Sequence, residues 1–97
     1  MTEARLYFVA YDVASPKRWR RAVKAVRRLC RRCQLSVFVC RATPARIARL
    51  EKELRRVLHP IEDRLMIVDL GPAATAEAQL KLLNSLTDIT DLGGVLL

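Results

Sequence analysis

No glycine occurs before Gly71 in this 97-residue chain, and there are only three in all. Walker loops, dinucleotide fingerprints, KH-type clamps and glycine-bearing RNP segments all need glycine where the backbone closes on a phosphate or a base, so none can exist in the first 70 residues. Histidine is as scarce: His59 is the only one, stands before a proline in an expected turn, and has no companions for a catalytic triad. It reads as a surface residue. No run of about 18 or more apolar residues is present, which excludes a membrane-spanning helix. The N-terminus also lacks the basic, apolar and small-residue succession of a secretory signal. A cytoplasmic protein with no membrane partner is expected.

Cysteine is present but does not form a framework. Cys30, Cys33 and Cys40 make an odd set, whereas secreted disulfide scaffolds use even ones, so the thiols are expected to be reduced. Cys30 and Cys33 have C-x-x-C spacing, yet tetrahedral zinc wants four ligands and no histidine stands nearby. A redox pair would favour a helix N-terminus, and this pair closes a helix. The three read as small buried hydrophobes.

Acid is missing from half of the chain. Between Ala4 and Leu50 there are thirteen lysines and arginines against one carboxylate, Asp12, while Glu51 to Leu97 carries five cations against eight acids. The net charge of +8 is therefore concentrated in one region. A clustered positive field points to an anionic partner, and nucleic acid is the first candidate because neutralising phosphates releases counterions whatever the sequence.

Apolar periodicity gives the elements. Leu6 to Tyr11 is an unbroken apolar run rich in aromatic and β-branched types, expected as a strand covered on both faces. Ser15 followed by Pro16 is a cap-then-proline start, and Trp19, Val23, Val26 and Cys30 form the core-facing stripe of a helix that is otherwise almost all Lys or Arg up to Arg28. In "CQLSVFVC", Cys33 to Cys40, Leu35, Val37 and Val39 alternate with Gln34, Ser36, Phe38 and Cys40. Thr43 and Pro44 repeat the start signal before Ile47, Leu50, Leu54, Val57 and Leu58, and this second helix ends before Pro60. "LMIVDL", Leu65 to Leu70, is a third extended run. Ala76, Leu80 and Leu83 then suggest a short helix ahead of Gly93, Gly94 and a final "VLL".

With the middle run bent into two strands, the order is βαββαβ, a ferredoxin-like α+β sandwich. The expected division is a core over residues 1–70 and a C-terminal extension over 71–97. A ninety-seven-residue domain buries only about 60 to 65% of its unfolded surface, so a dimer would help it. Strands apolar on both faces, with helices on only one, leave a bare face best covered by a second copy.

Asp12 ends the first strand and precedes Ser15 by three residues, so it should lie beside a helix N-terminus that favours anions. One reading makes it a turn or ion-pair carboxylate with Lys17 or Arg18 as partner. The other makes it half of a metal site. An isologous dimer with its strand ends near the axis would bring two Asp12 side chains together. Two carboxylates with water and substrate oxygens suit Mg²⁺, which polarises a phosphodiester and lowers the pKa of bound water.

"YDVASPKRWRRAVKAVRRL", followed by "RCQLSVFVCR" and "LMIVDL", resembles the small CRISPR-associated adaptation protein family, the ferredoxin-like partner of the CRISPR integrase, whose members were first described as metal-dependent endoribonucleases. The resemblance covers about residues 5–70. It implies a homodimer whose C-terminal strand pairs with the partner's sheet, and an interfacial Mg²⁺ or Mn²⁺ held by Asp12. It also places Ser36 and Phe38 at the dimer interface and implies that the protein bridges integrase dimers along captured duplex DNA. Many relatives read S-V-F-E-C where this chain has "SVFVC", so Val39 replaces a possible accessory carboxylate.

Three functions follow. The first is a Mg²⁺-dependent endonuclease, with Asp12 as catalytic metal ligand and Arg18, Arg20 or Arg21 steadying the phosphate. The second is a non-catalytic DNA-binding scaffold in spacer acquisition, gripping phosphates through Lys17, Arg18, Arg20, Arg21, Lys24, Arg27, Arg28 and Arg31 without reading bases. A generic RNA-binding sheet ranks last, because both sheet faces are occupied and no free aromatic platform is evident.

Overall fold

The computed structural model describes residues 3–34 and 37–81. Ser36, Leu83 and most of the expected C-terminal extension lie outside those residues. The elements are β1 (Arg5–Asp12), α1 (Pro16–Arg27), β2 (Arg31–Gln34), β3 (Val37–Ala42), α2 (Pro44–Val57), β4 (Arg64–Pro72) and α3 (Ala73–Gln79). They form a four-stranded antiparallel sheet in the order β2-β3-β1-β4. This is the expected ferredoxin-like βαββαβ arrangement, and the middle apolar run does divide into two strands.

Both long helices start as their sequences predict. The Ser15 hydroxyl accepts from the Arg18 amide at 3.3 Å and the Thr43 hydroxyl from the Arg46 amide at 3.4 Å, each just before a proline at the first helical position. The stripes of α1 and α2 then meet the sheet. Val23, Val26 and Cys30, with Ala22 and Ala25, pack against Ile47, Leu50 and Leu54 and against Tyr7, Val9, Tyr11, Phe38 and Cys40 of the sheet. Tyr11 and Phe38 stack with ring centroids 5.9 Å apart. Lys24 and Arg27 in the last turn of α1 complement its dipole.

The opposite face of the sheet is covered in part by the chain itself. Leu6, Val39 and Cys33 form a second buried cluster with Ala76 of α3, flanked by Phe8, Leu70 and Leu80. The Ala73 amide donates to the Ala4 carbonyl, and Arg41 of β3 pairs with Glu77 of α3. A second copy is therefore not the sole cover for this face. β4 enters the turn to α3 through an irregularity opposite Leu6 and Tyr7, where Gly71 takes φ +102°, and the Asp69 carboxylate accepts from the Gly71 amide.

The cysteines depart from expectation. Cys30, at the end of α1, and Cys40, on β3, are joined as a disulfide, their Cα atoms 4.3 Å apart, where reduced thiols were expected. The direct passage from α1 into β2 and back through β3 brings Cys40 beneath the helix end. Cys33 is free and lies on the other face of the sheet, so the C-x-x-C spacing joins nothing. Burial pushes the Cys33 thiol pKa up, which keeps it protonated and inert.

Leu54 is fully buried at the meeting of α2, α1 and the sheet. Leu54→Ala is expected to lower unfolding free energy by about 2–5 kcal/mol, read as a reduced urea midpoint at unchanged slope. A loss below about 1 kcal/mol would contradict this packing.

Candidate functional site

The antiparallel topology gathers the end of β1, the start of α1, the α2–β4 connection and the start of β4 at one end of the sheet. Asp12 and Arg64 are register partners there. Tyr11 belongs to the core under the helices, so the period of two turns the next side chain, Asp12, to the opposite face. There Asp12 is exposed and lines an open, mainly apolar groove of about 420 Å³ with Ala10, Val37, Met66 and neighbours. Among the described residues Asp12 makes no ion pair and no side-chain hydrogen bond.

The ion-pair reading of Asp12 fails because Arg18 is engaged elsewhere. Its Nε donates to Asp63 Oδ2 at 2.8 Å, and one terminal nitrogen donates to Asp63 Oδ1 at 3.2 Å and to Glu62 at 3.3 Å. The Asp63 side chain has no exposed surface. It also accepts from the backbone amides of Ala14 at 3.0 Å and His59 at 2.8 Å. The Arg18 bonds, then the two amides, hold the Asp63 carboxyl well below the usual carboxylate range against the opposing effect of burial. Sequence reasoning missed Asp63 because an acid just before a strand looks like any turn residue. His59 also has a structural use that its isolation concealed: its Nδ1 accepts from the amides of Ile61 and Glu62.

The remaining cations of α1 lie on the other side of the molecule. Lys17, Arg20, Arg21, Lys24, Arg27 and Arg28 occupy the exposed face of the helix, opposite its core stripe, and four of them border a shallow groove of about 340 Å³. Arg28 is paired with Glu53 of α2 at 3.0 Å. Lys17, Arg20, Arg21, Lys24 and Arg27 have no carboxylate partner among the described residues, and Arg31 is exposed at the start of edge strand β2. From Lys17 to Arg27 the row runs roughly 15 Å.

The expected constellation is thus not assembled within one chain. Arg18 is committed to Asp63, and Arg20 and Arg21 face away from the sheet, while Asp12 opens to the far side of it. The Phe38 ring is fully buried inside the protomer, between sheet and helices, and offers no side-chain surface to a partner. Val39 pairs in register with Phe8, four residues from Asp12 and so roughly 13 Å along the strand. Within one chain, the missing acid at that position therefore takes no ligand from Asp12.

An exposed, unpaired carboxylate is a hard oxygen donor of the kind Mg²⁺ and Mn²⁺ accept. Among the described residues no three His, Cys, Asp or Glu side chains converge, so one chain fits such an ion with a single ligand. Among the described residues two buried polar atoms have no hydrogen-bond partner, the Tyr11 hydroxyl and Arg32 Nε. Burial pushes the Tyr11 pKa up to about 12. The Arg32 guanidinium stacks over Trp19 and Phe38 at 5.8 and 5.6 Å.

Fold and site together define a ferredoxin-like domain with a cationic helix face on one side of its sheet and a solitary carboxylate opening to the other. The chain belongs to the family of CRISPR associated protein Cas2, whose family model matches residues 5–78. It is 35% identical over 83 residues to the CRISPR-associated endoribonuclease Cas2 of Geobacter sulfurreducens, covering 86% of this chain and 87% of that protein. A relative from Rhodospirillum rubrum, CRISPR-associated endoribonuclease Cas2 1, is 40% identical over 67 residues, or 69% of this chain and 66% of its own. The crystal structure of Streptococcus pyogenes Cas2 superposes with a TM-score of 0.70 at 27% identity, covering 81% of this chain and 99% of that one. No helix among the described residues is long and apolar enough to cross a membrane.

The lowered Asp63 pKa sets a sign for pH dependence. A depressed carboxylate stabilises the fold fully above its unfolded pKa of about 4, and that contribution is lost progressively as the pH falls from there toward the depressed folded value. Thermal melts between about pH 2 and pH 7 should show Asp63→Asn well below wild type at neutral pH, with the gap closing on acidification. A gap independent of pH would contradict the buried ion pair.

Proposed function

We infer that this chain is a CRISPR-associated endoribonuclease that works as a homodimer, with Mg²⁺ or Mn²⁺ held between the Asp12 carboxylates of two copies. The observation that carries this reading is the state of Asp12: an exposed acid that, among the described residues, has no ion-pair partner and borders an apolar groove. Support for the second copy comes from the surface around it. Met66 is 57% exposed in that groove, and among the described residues β4 is an edge strand with no fully buried apolar side chain. Joining two such faces would cover exposed apolar area and an unpaired strand edge together. The ion, when bound, supplies positive charge to the scissile phosphodiester and makes water hydrolytic near neutral pH.

The protein's own residues supply location. Asp12 presents the anionic ligand at the end of a strand, and Ala10, Val37 and Met66 beside it keep the groove apolar. Because Arg18 is neutralised by Asp63 and Glu62, the nearest arginine of α1 does not compete with the ion for Asp12.

A second reading, a non-catalytic DNA scaffold bridging integrase dimers in spacer acquisition, is favoured by the cationic row on the opposite layer. That row can follow a phosphate backbone without touching the groove, so the same protein can serve both functions. Its contacts go to phosphates and carry no sequence preference.

Asp12→Asn is expected to abolish Mg²⁺-dependent RNA cleavage while leaving duplex affinity intact, since removing a negative charge does not weaken phosphate contacts. Cleavage by the purified variant would eliminate Asp12 as metal ligand. Reversing charge at Arg20, Arg21 and Lys24 together should weaken duplex binding and reduce the slope of log affinity against log salt by roughly three. An unchanged slope would reject this face as the contact surface.

A further inference from the structure

We propose that Asp63 is the positioning residue for Asp12, fixing the backbone that follows it and the start of the strand opposite it without touching any ligand. The proposal rests on the reading of Asp12 as a metal ligand. Asp12 itself has no side-chain bond among the described residues, so its direction is set by its backbone alone. That backbone continues into Val13, Ala14 and Ser15, a connection outside helix and strand. The Ala14 amide donates to Asp63 Oδ1 at 3.0 Å. Across the sheet, the register partner of Asp12 is Arg64, the residue bonded to Asp63. One side chain with no exposed surface therefore anchors the strand end after Asp12 and the start of the strand opposite it.

The other bonds of Asp63 make that anchor rigid. Arg18 locks the carboxylate to the first turn of α1 through two nitrogens, and the His59 amide locks it to the start of the α2–β4 connection. Glu62 holds the same guanidinium from outside. His59 in turn gathers the amides of Ile61 and Glu62, so the loop that carries Asp63 is itself fixed. A ligand shared between two copies tolerates little angular error, because each chain offers only one carboxylate. Groups that hydrogen-bond a metal ligand directly change affinity by about ten- to a hundredfold when removed, and Asp63, acting one step further out through the backbone, belongs at the lower end.

The first test uses the unmodified full-length protein without metal. Although Ala14 is exposed, its amide should be protected from hydrogen exchange, and Asp63→Asn should release it. Free exchange in wild type would overturn the proposal. The second counts Mn²⁺ bound without substrate, by electron paramagnetic resonance, in wild type, Asp63→Asn, Asp12→Asn and Leu54→Ala. Asp63→Asn should weaken Mn²⁺ binding roughly tenfold, whereas Leu54→Ala, destabilised through the core alone, should bind as wild type. Folded Asp63→Asn binding Mn²⁺ like wild type, or weakening it no more than Leu54→Ala does, would refute a positioning role. Should Asp63→Asn fail to fold, the wild-type exchange of Ala14 still decides. Asp12→Asn that binds Mn²⁺ normally would instead remove the metal reading itself, and Ala14 exchange would report on the anchor separately.

Discussion

Because β1 is paired along both edges and covered on both faces, its period of two governs where every other group can act. Tyr7, Val9 and Tyr11 must face the helices, since only there does the chain provide a large apolar layer, and Leu6 and Phe8 must face the cover formed with α3. Shifting the strand by one residue would exchange the two sets and place Asp12 beneath the helices. The burial of three large side chains on one face therefore sends the carboxylate to the other. It also separates Asp12 from the cations of α1, which the sequence places within a few residues of it.

This separation changes how the charge pattern is understood. Adjacent stretches of acid and base would neutralise each other if they shared a surface. Here the sheet stands between them, and the one arginine on the flank nearest the strand end, Arg18, is occupied by Asp63 and Glu62. A buried ion pair adds little net stability over an apolar replacement, yet removing one partner leaves an uncompensated charge, so such a pair is effective at specifying geometry. At this end of the molecule it holds three chain segments together around a single carboxylate.

The elements were legible in the sequence because each carried its own local signal. Ser15–Pro16 and Thr43–Pro44 mark helix starts through bonds made within one turn, and the stripes from Trp19 to Cys30 and from Ile47 to Leu54 announce which faces are buried. Local rules could not show where α3 would lie, because the stripe begun by Ala76 has no assigned partner until it meets Leu6 and Val39 from distant strands. Nor could they identify the partner of Cys30. Cys33 is the nearer in sequence, yet the intervening turn into β2 sends it to the opposite face, and Cys40 arrives from β3.

The sequence by itself determined the element order, the two amphipathic helices, the isolation of Asp12 among cations and the family resemblance. All of these depend on residue type and spacing over short distances. Only the tertiary structure decided that Asp12 opens away from the helices, that Arg18 is neutralised, and that Asp63, 51 residues further along the chain, anchors the backbone beside Asp12. Those facts depend on which faces touch after folding, and contacts between residues so far apart leave no periodic trace in the chain.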